Sequence, residues 1–169
     1  MNEKHTQWYI GAPNGVVLCI HRMHGGEPGG ELYHSYRADP VPFGSYDEMT
    51  RCMEELYDAL RFPYPATNRR SFSPPREVRH IKERNKLMSD EQLLSKHGDI
   101  GTFIVRVQHR QNSSWQGRLT WMEKDQTVNF RSVWEMIKLI ESAMDTVSEQ
   151  EDEHRADAAW TLPDTGAND

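Results

Sequence analysis

Gly117-Arg118-Leu119-Thr120-Trp121-Met122-Glu123-Lys124-Asp125-Gln126-Thr127-Val128-Asn129-Phe130-Arg131-Ser132-Val133-Trp134-Glu135-Met136 restates the spacing of a stretch that begins at Gly30 and ends at Met49. Leu32 falls on Leu119, Val41 on Val128, Ser45 on Ser132 and Glu48 on Glu135, and Phe43 and Phe130 each follow their glycine by 13 residues. Upstream, His21-Arg22 matches His109-Arg110 once one residue is removed from the first hairpin loop. An internal repeat implies two like supersecondary units, and it lets a residue that looks chemical in one copy be tested against its counterpart in the other.

Within the second copy, Phe103, Val105, Val107 and His109 alternate with Ile104, Arg106, Gln108 and Arg110, the period-two pattern of a strand with one wetter face. Asn112-Ser113-Ser114 supplies a turn, Gly117 to Glu123 a returning strand, Lys124-Asp125 a second turn and Thr127 to Arg131 a short third strand. The period then changes. Ser132-Val133-Trp134-Glu135 has the form of a capping box, and Val133, Met136, Ile137, Ile140, Ala143 and Met144 follow at helical spacing. The first copy reads alike: Val16 to Met23, a glycine-rich loop, Gly30 to Arg37, Val41 to Phe43, then Ser45-Tyr46-Asp47-Glu48 and a helix burying Met49, Cys52, Met53, Leu56 and Tyr57. Pro40 and Pro42 make the third strand short or place it at an edge, and Gln7 to Ile10 offers one extra strand. The expected fold is α+β, with tandem duplicated β-β-β-α modules, each an antiparallel three-stranded sheet packed on one helix. The modules occupy 1–62 and 101–146. A basic, proline-containing linker with a short helix from Ser89 joins them over 63–100, and 147–169 reads as an acidic disordered tail.

Over 169 residues the net charge is −6, unevenly spread. Residues 1–67 carry five basic and nine acidic groups (−4), 68–100 eight and five (+3), 101–145 six and five (+1), and 146–169 one and seven (−6). The chain has no run of about eighteen apolar residues and no charged-then-apolar leader pattern, so a cytoplasmic protein with no membrane contact is expected. Two cysteines fit a reducing compartment; Cys19 falls on Val107 and Cys52 on Leu139, which makes both buried small hydrophobes.

The same comparison weakens most chemical readings. Cys19, His21, His24 and His34 look like a metal cluster, but Cys19 answers a valine and His34 answers Trp121, so no metal or cofactor is expected. Gly25 to Gly30 lacks the Lys-Ser/Thr pair of a phosphate loop and opens no helix. Glu54-Glu55 falls on the solvent side of its helix and no serine lies in a nucleophile elbow, so no catalytic residue is expected. Basic residues lead further. Arg106, Arg110, Arg118 and Arg131 are placed to present one sheet face to phosphates, and Arg69 and Arg70 add a second positive stretch. In the first copy Leu18, Glu31 and Gly44 stand for Arg106, Arg118 and Arg131, and only Arg22 answers Arg110. Trp134, whose counterpart is Asp47, falls off the apolar stripe of its helix, and Trp115 sits at a hairpin tip; exposed tryptophans are enriched in binding hot spots.

The order of strands and helix, with Ser114-Trp115-Gln116-Gly117 leading to Asn129-Phe130-Arg131-Ser132, resembles the three-stranded DNA-binding domain of plant AP2 factors and the arm-binding domain of phage integrases. That resemblance covers the second module only, and the acidic balance departs from it. The Tyr33-containing strand, Val41-Pro42-Phe43, the segment from Phe62-Pro63 to Arg70-Ser71-Phe72 and the Ser114 to Gly117 hairpin together resemble a group of small proteins of anaerobic gut bacteria and their mobile elements, with anti-CRISPR inhibitors of Cas9 in or near it. What this implies is a non-enzymatic interaction protein that binds and inhibits a nuclease or nucleic-acid machine, Trp115 and Trp134 meeting the protein partner and nucleic acid contacted weakly. The alternative is a DNA-binding transcriptional or recombination regulator using the sheet of the second module.

Overall fold

The computed structural model describes residues 10, 12–66, 70–74, 81 and 85–160. Strands β1 (Val16–His24), β2 (Glu27–His34) and β3 (Val41–Phe43) lead into helix α1 (Tyr46–Leu60). After a one-turn helix, α2 (Asp90–Leu94), come β4 (Gly101–His109), β5 (Gln116–Trp121), a 3-10 turn at Met122–Lys124, β6 (Gln126–Phe130) and α3 (Val133–Trp160). The expected strand from Gln7, and Arg69, lie outside the described residues except for Ile10, which is buried.

Instead of a three-stranded sheet in each half, there is one antiparallel sheet of six strands in the order β3-β2-β1-β4-β5-β6. The joint is β1 against β4, with Val16 across from Val105, Leu18 from Phe103 and Ile20 from Gly101. Pairing the two first strands gives both halves one shared core. Alternation then sorts the side chains. Val16, Leu18, Ile20, Phe103, Val105, Val107 and Leu119 point to the face covered by Met49, Met53, Tyr57, Met136, Ile140 and Met144 of the two long helices. Val17, Cys19 and Ile104 point the other way, onto Ile10, Met88, Leu93 and Met122.

The strand register corrects the expected alignment. Ile20 stands across from Gly30 and Arg22 from Gly29, with a bulge between; Val107 stands across from Gly117 and His109 from Gln116, with a bulge at the same place. Positions 87 apart therefore correspond without any deletion, so Cys19 shares its place with Arg106 and Ile20 with Val107. The two glycines are required by close approach. A Cβ on Gly30 would lie 1.9 Å from the Cys19 carbonyl oxygen, and one on Gly117 would lie 2.1 Å from that of Arg106. The first hairpin is also tighter than a glycine-rich loop. Gly25 and Gly26, both at positive φ (59° and 78°), form a two-residue turn, and Glu27 already belongs to β2.

Both long helices start in the same way. The Ser45 hydroxyl accepts from Glu48 N (3.1 Å) while the Glu48 carboxylate accepts from Gly44 N (2.6 Å). Ser132 accepts from Glu135 N (3.1 Å), and Glu135 accepts from Arg131 N (3.2 Å). In each case the glutamate reaches one residue further back than in a standard capping box. Helix α1 stops where Arg61 turns left-handed (φ 51°), with Arg61 N and Phe62 N closing onto Asp58 O and Tyr57 O. Helix α3 has no such stop near Val147. The stretch expected to be disordered is helical as far as Trp160.

Candidate interaction site

The arginines do not gather on one face. Arg110 turns inward, 8% exposed, because its guanidinium serves the end of α1: Nη1 donates to Asp58 Oδ1 at 2.5 Å, Nε to Pro63 O at 2.7 Å and Nη2 to Tyr57 O at 3.4 Å. A cation here satisfies carbonyls that a helix C-terminus leaves unpaired. Arg110 is thus a tie between the halves, not a phosphate contact. Arg131 is on the rim, its Nε donating to the capping Glu135 (3.2 Å). Arg106 and Arg118 remain on the face away from the long helices, directly across from each other on β4 and β5. Arg70 is exposed.

The two tryptophans also part company. Trp115 is only 6% exposed and meets the Tyr57 ring edge-on, centroids 5.3 Å apart, so it is a core residue linking β5 to α1 and cannot anchor a partner. The Tyr57 hydroxyl is buried with it, and burial pushes its pKa up. Trp134 is 68% exposed, with Lys138 Nζ 4.5 Å above its ring and Glu141 2.9 Å from that ammonium.

These three residues begin a stripe. At steps of three and four along α3 come Trp134, Lys138, Glu141, Asp145, Glu149 and Asp152, on the side opposite the buried Met136, Ile140, Ala143 and Met144. The stripe runs for about 27 Å at the helical rise. From Ser148 to Ala158 every residue is exposed, and five carboxylates (Glu149, Glu151, Asp152, Glu153 and Asp157) face one guanidinium (Arg155), a net −4 with His154 neutral. This acidic extension was not anticipated as a structured element. The available signal was the absence of any proline or glycine between Ser132 and Pro163.

Among the described residues no group of three or more His, Cys, Asp or Glu is placed to hold a metal ion. Cys19 is buried on the α2 side of the sheet, and burial, then the carboxylates of Glu31 and Glu123, push its thiol up to about 12. His34 Nδ1 accepts from Tyr36 N (3.2 Å). Burial, reinforced by Arg37, lowers its pKa to about 4. His21 lies between Glu31 (3.6 Å) and Asp99 (3.4 Å), while Tyr33 donates to Glu31 (2.7 Å). Among the described residues no helix is long and apolar enough to cross a membrane.

Comparison with protein-family models, with curated proteins and with solved structures found no match.

Proposed function

We propose that the chain is a non-enzymatic, cytoplasmic interaction protein that binds and inhibits a nuclease or other nucleic-acid machine, with the outer face of α3 as its contact surface. The observation that carries this reading is the continuation of α3 as an acidic helix exposed on every side, headed by the exposed Trp134. A polar helix without a packing face contributes little to its own fold, so a contact surface is the use such an element serves best. Its partner must be positively charged. Nucleic-acid-binding grooves are lined by Lys and Arg to meet a backbone carrying one charge per roughly 1.7 Å of duplex, and a rod of carboxylates competes for the same groups. Trp134 supplies an aromatic anchor of the kind on which protein contacts concentrate their energy. Among nucleases Cas9 comes first, given the resemblance to proteins grouped near its inhibitors. The framework, on this reading, is a fused duplication of a β-β-β-α module; matched bulges, matched glycines and matched helix starts at positions 87 apart support it.

Affinity capture from a bacterial lysate tests the proposal. The intact chain is expected to retain a nucleic-acid-binding protein after nuclease treatment, and the variant Glu149→Gln/Glu151→Gln/Asp152→Asn/Glu153→Gln is expected to lose it. The alternative, a DNA-binding regulator, draws on Arg106 and Arg118 standing across one strand pair on the sheet face away from the long helices. Capture that depends on intact nucleic acid and on those two arginines would favour it.

A further inference from the structure

The two halves finish the corner between strand and helix differently. In the second half the Gln116 side chain fills it, accepting from Gln111 N (3.0 Å) and donating to Gln111 O (3.1 Å) and Arg131 O (3.2 Å). At the positions 87 residues earlier, Gly29 stands for Gln116 and Gly44 for Arg131, and neither supplies a side chain. What remains in the first half is a hollow of about 510 Å³ beside β3, with Pro42, Phe43 and Gly44 on the strand side and Glu48, Arg51 and Cys52 on α1. Arg22 enters it from β1. Its side chain lies across Gly29, so closely that a Cβ there would be 2.6 Å from the guanidinium carbon and from Nε. A volume of this order is that of sites for small molecules, which run from about 300 to 1,000 Å³.

Charge decides what fits there. Glu48 is the one carboxylate lining the hollow among the described residues, and it is committed to the backbone, accepting from Gly44 N at 2.6 Å. Arg51 is balanced by Asp47 at 2.6 Å. Arg22 has no such counterpart: its cross-strand neighbour is Gly29, and no carboxylate of the described residues pairs with it. Its guanidinium is a planar fork of donors that matches a carboxylate or a phosphate through paired hydrogen bonds. Pro42, Phe43 and the half-buried Cys52 offer apolar surface beside that fork, which a bare anion would leave wet.

We propose that this corner binds a small organic oxyanion, a carboxylate or phosphate monoester carried on an apolar group, with Arg22 as its anchor. This inference rests on the first half of the chain and stands apart from the proposed function of the α3 stripe. Amide chemical-shift titration of the isotopically labelled full chain tests it, with benzoate, phenyl phosphate, inorganic phosphate and benzyl alcohol as probes. Benzoate or phenyl phosphate, at up to about 10 mM, is expected to give saturable shifts centred on Arg22, Gly44 and Cys52, and the tighter of the two identifies the anionic group. Benzyl alcohol is expected to give none. Arg22→Gln should weaken binding at least about tenfold, the loss of one charge-assisted hydrogen-bonding group. Cys52→Leu, which puts on the wall the side chain that Leu139 supplies in the second half, should abolish it with the circular dichroism spectrum unchanged. Absence of saturable shifts with both organic anions would overturn the proposal, as would binding undiminished in Arg22→Gln. Inorganic phosphate bound as tightly as phenyl phosphate, or benzyl alcohol bound as tightly as benzoate, would overturn the class of ligand.

Discussion

At the residue scale, the side chains that looked alike in the sequence divide by burial. Trp115 closes the seam between β5 and α1, so Trp115→Ala should cost about 3–5 kcal/mol in urea denaturation, the range for truncating a buried aromatic. Trp134→Ala should change stability by no more than about 0.5 kcal/mol, as exposed positions do, while weakening partner capture at least about tenfold. The tip position of Trp115 was legible in the sequence; its burial was not, because it depends on Tyr57 arriving from the other half of the chain. Arg110 was opaque for the same reason, since strand alternation cannot reveal that Asp58 and Pro63 wait beyond the strand end. His34 gives a pH test. Its folded pKa, about 4, lies below the ordinary histidine value near 6.5, so the unfolded chain binds the extra proton in between. Stability contributed by neutral His34 is present above about pH 6.5 and is lost as pH falls towards 4. The difference in unfolding free energy between wild type and His34→Gln, followed by urea titration over that range, should shrink as the pH is lowered.

At the element scale, period-two and helical patterns located all six strands and the starts of both long helices, because each signal is local: alternation, a turn, a serine followed three residues later by a glutamate. Two features went astray for physical reasons. The alignment of β1 was shifted by one, since the shared His-Arg pair was matched by residue identity, whereas strand pairing, with a bulge at the same place in both copies, sets His109 against Arg22. Acidic composition suggested disorder after Val147, although Glu, Gln, Ala and Arg are strong helix formers and the helix was already nucleated by its packed first turns. Removing residues 148–169 should therefore lower the helical signal in circular dichroism while moving the melting temperature by less than about 2 °C, since these side chains bury nothing through Ala158. A large drop in melting temperature would show that this extension packs on the sheet. Gly30→Ala and Gly117→Ala should each destabilise by roughly 1–3 kcal/mol, as overpacking does, because their Cβ atoms would collide with backbone carbonyl oxygens and not with a side chain able to move.

At the scale of the whole molecule, one hydrophobic core runs under α1 and α3 together, and Trp115 on Tyr57 and Arg110 on Asp58 bind one half to the other. Urea unfolding should be a single transition with tryptophan fluorescence and circular dichroism coincident, and the fragment 101–146 should not fold alone. The repeat announced two like units in the sequence, but the pairing of β1 with β4 that makes them one sheet is a long-range choice that no local pattern records. On this frame α3 carries Trp134 and an acidic stripe into solvent, and the proposed target of that stripe is a nuclease's nucleic-acid-binding surface. The most direct measurement is competition for labelled target DNA on guide-loaded Cas9, comparing the intact chain with one ending at Val147. The intact chain should displace the DNA, and the shortened, still folded chain should do so at least about tenfold less well. Equal displacement by the shortened chain, or displacement by neither, would contradict it.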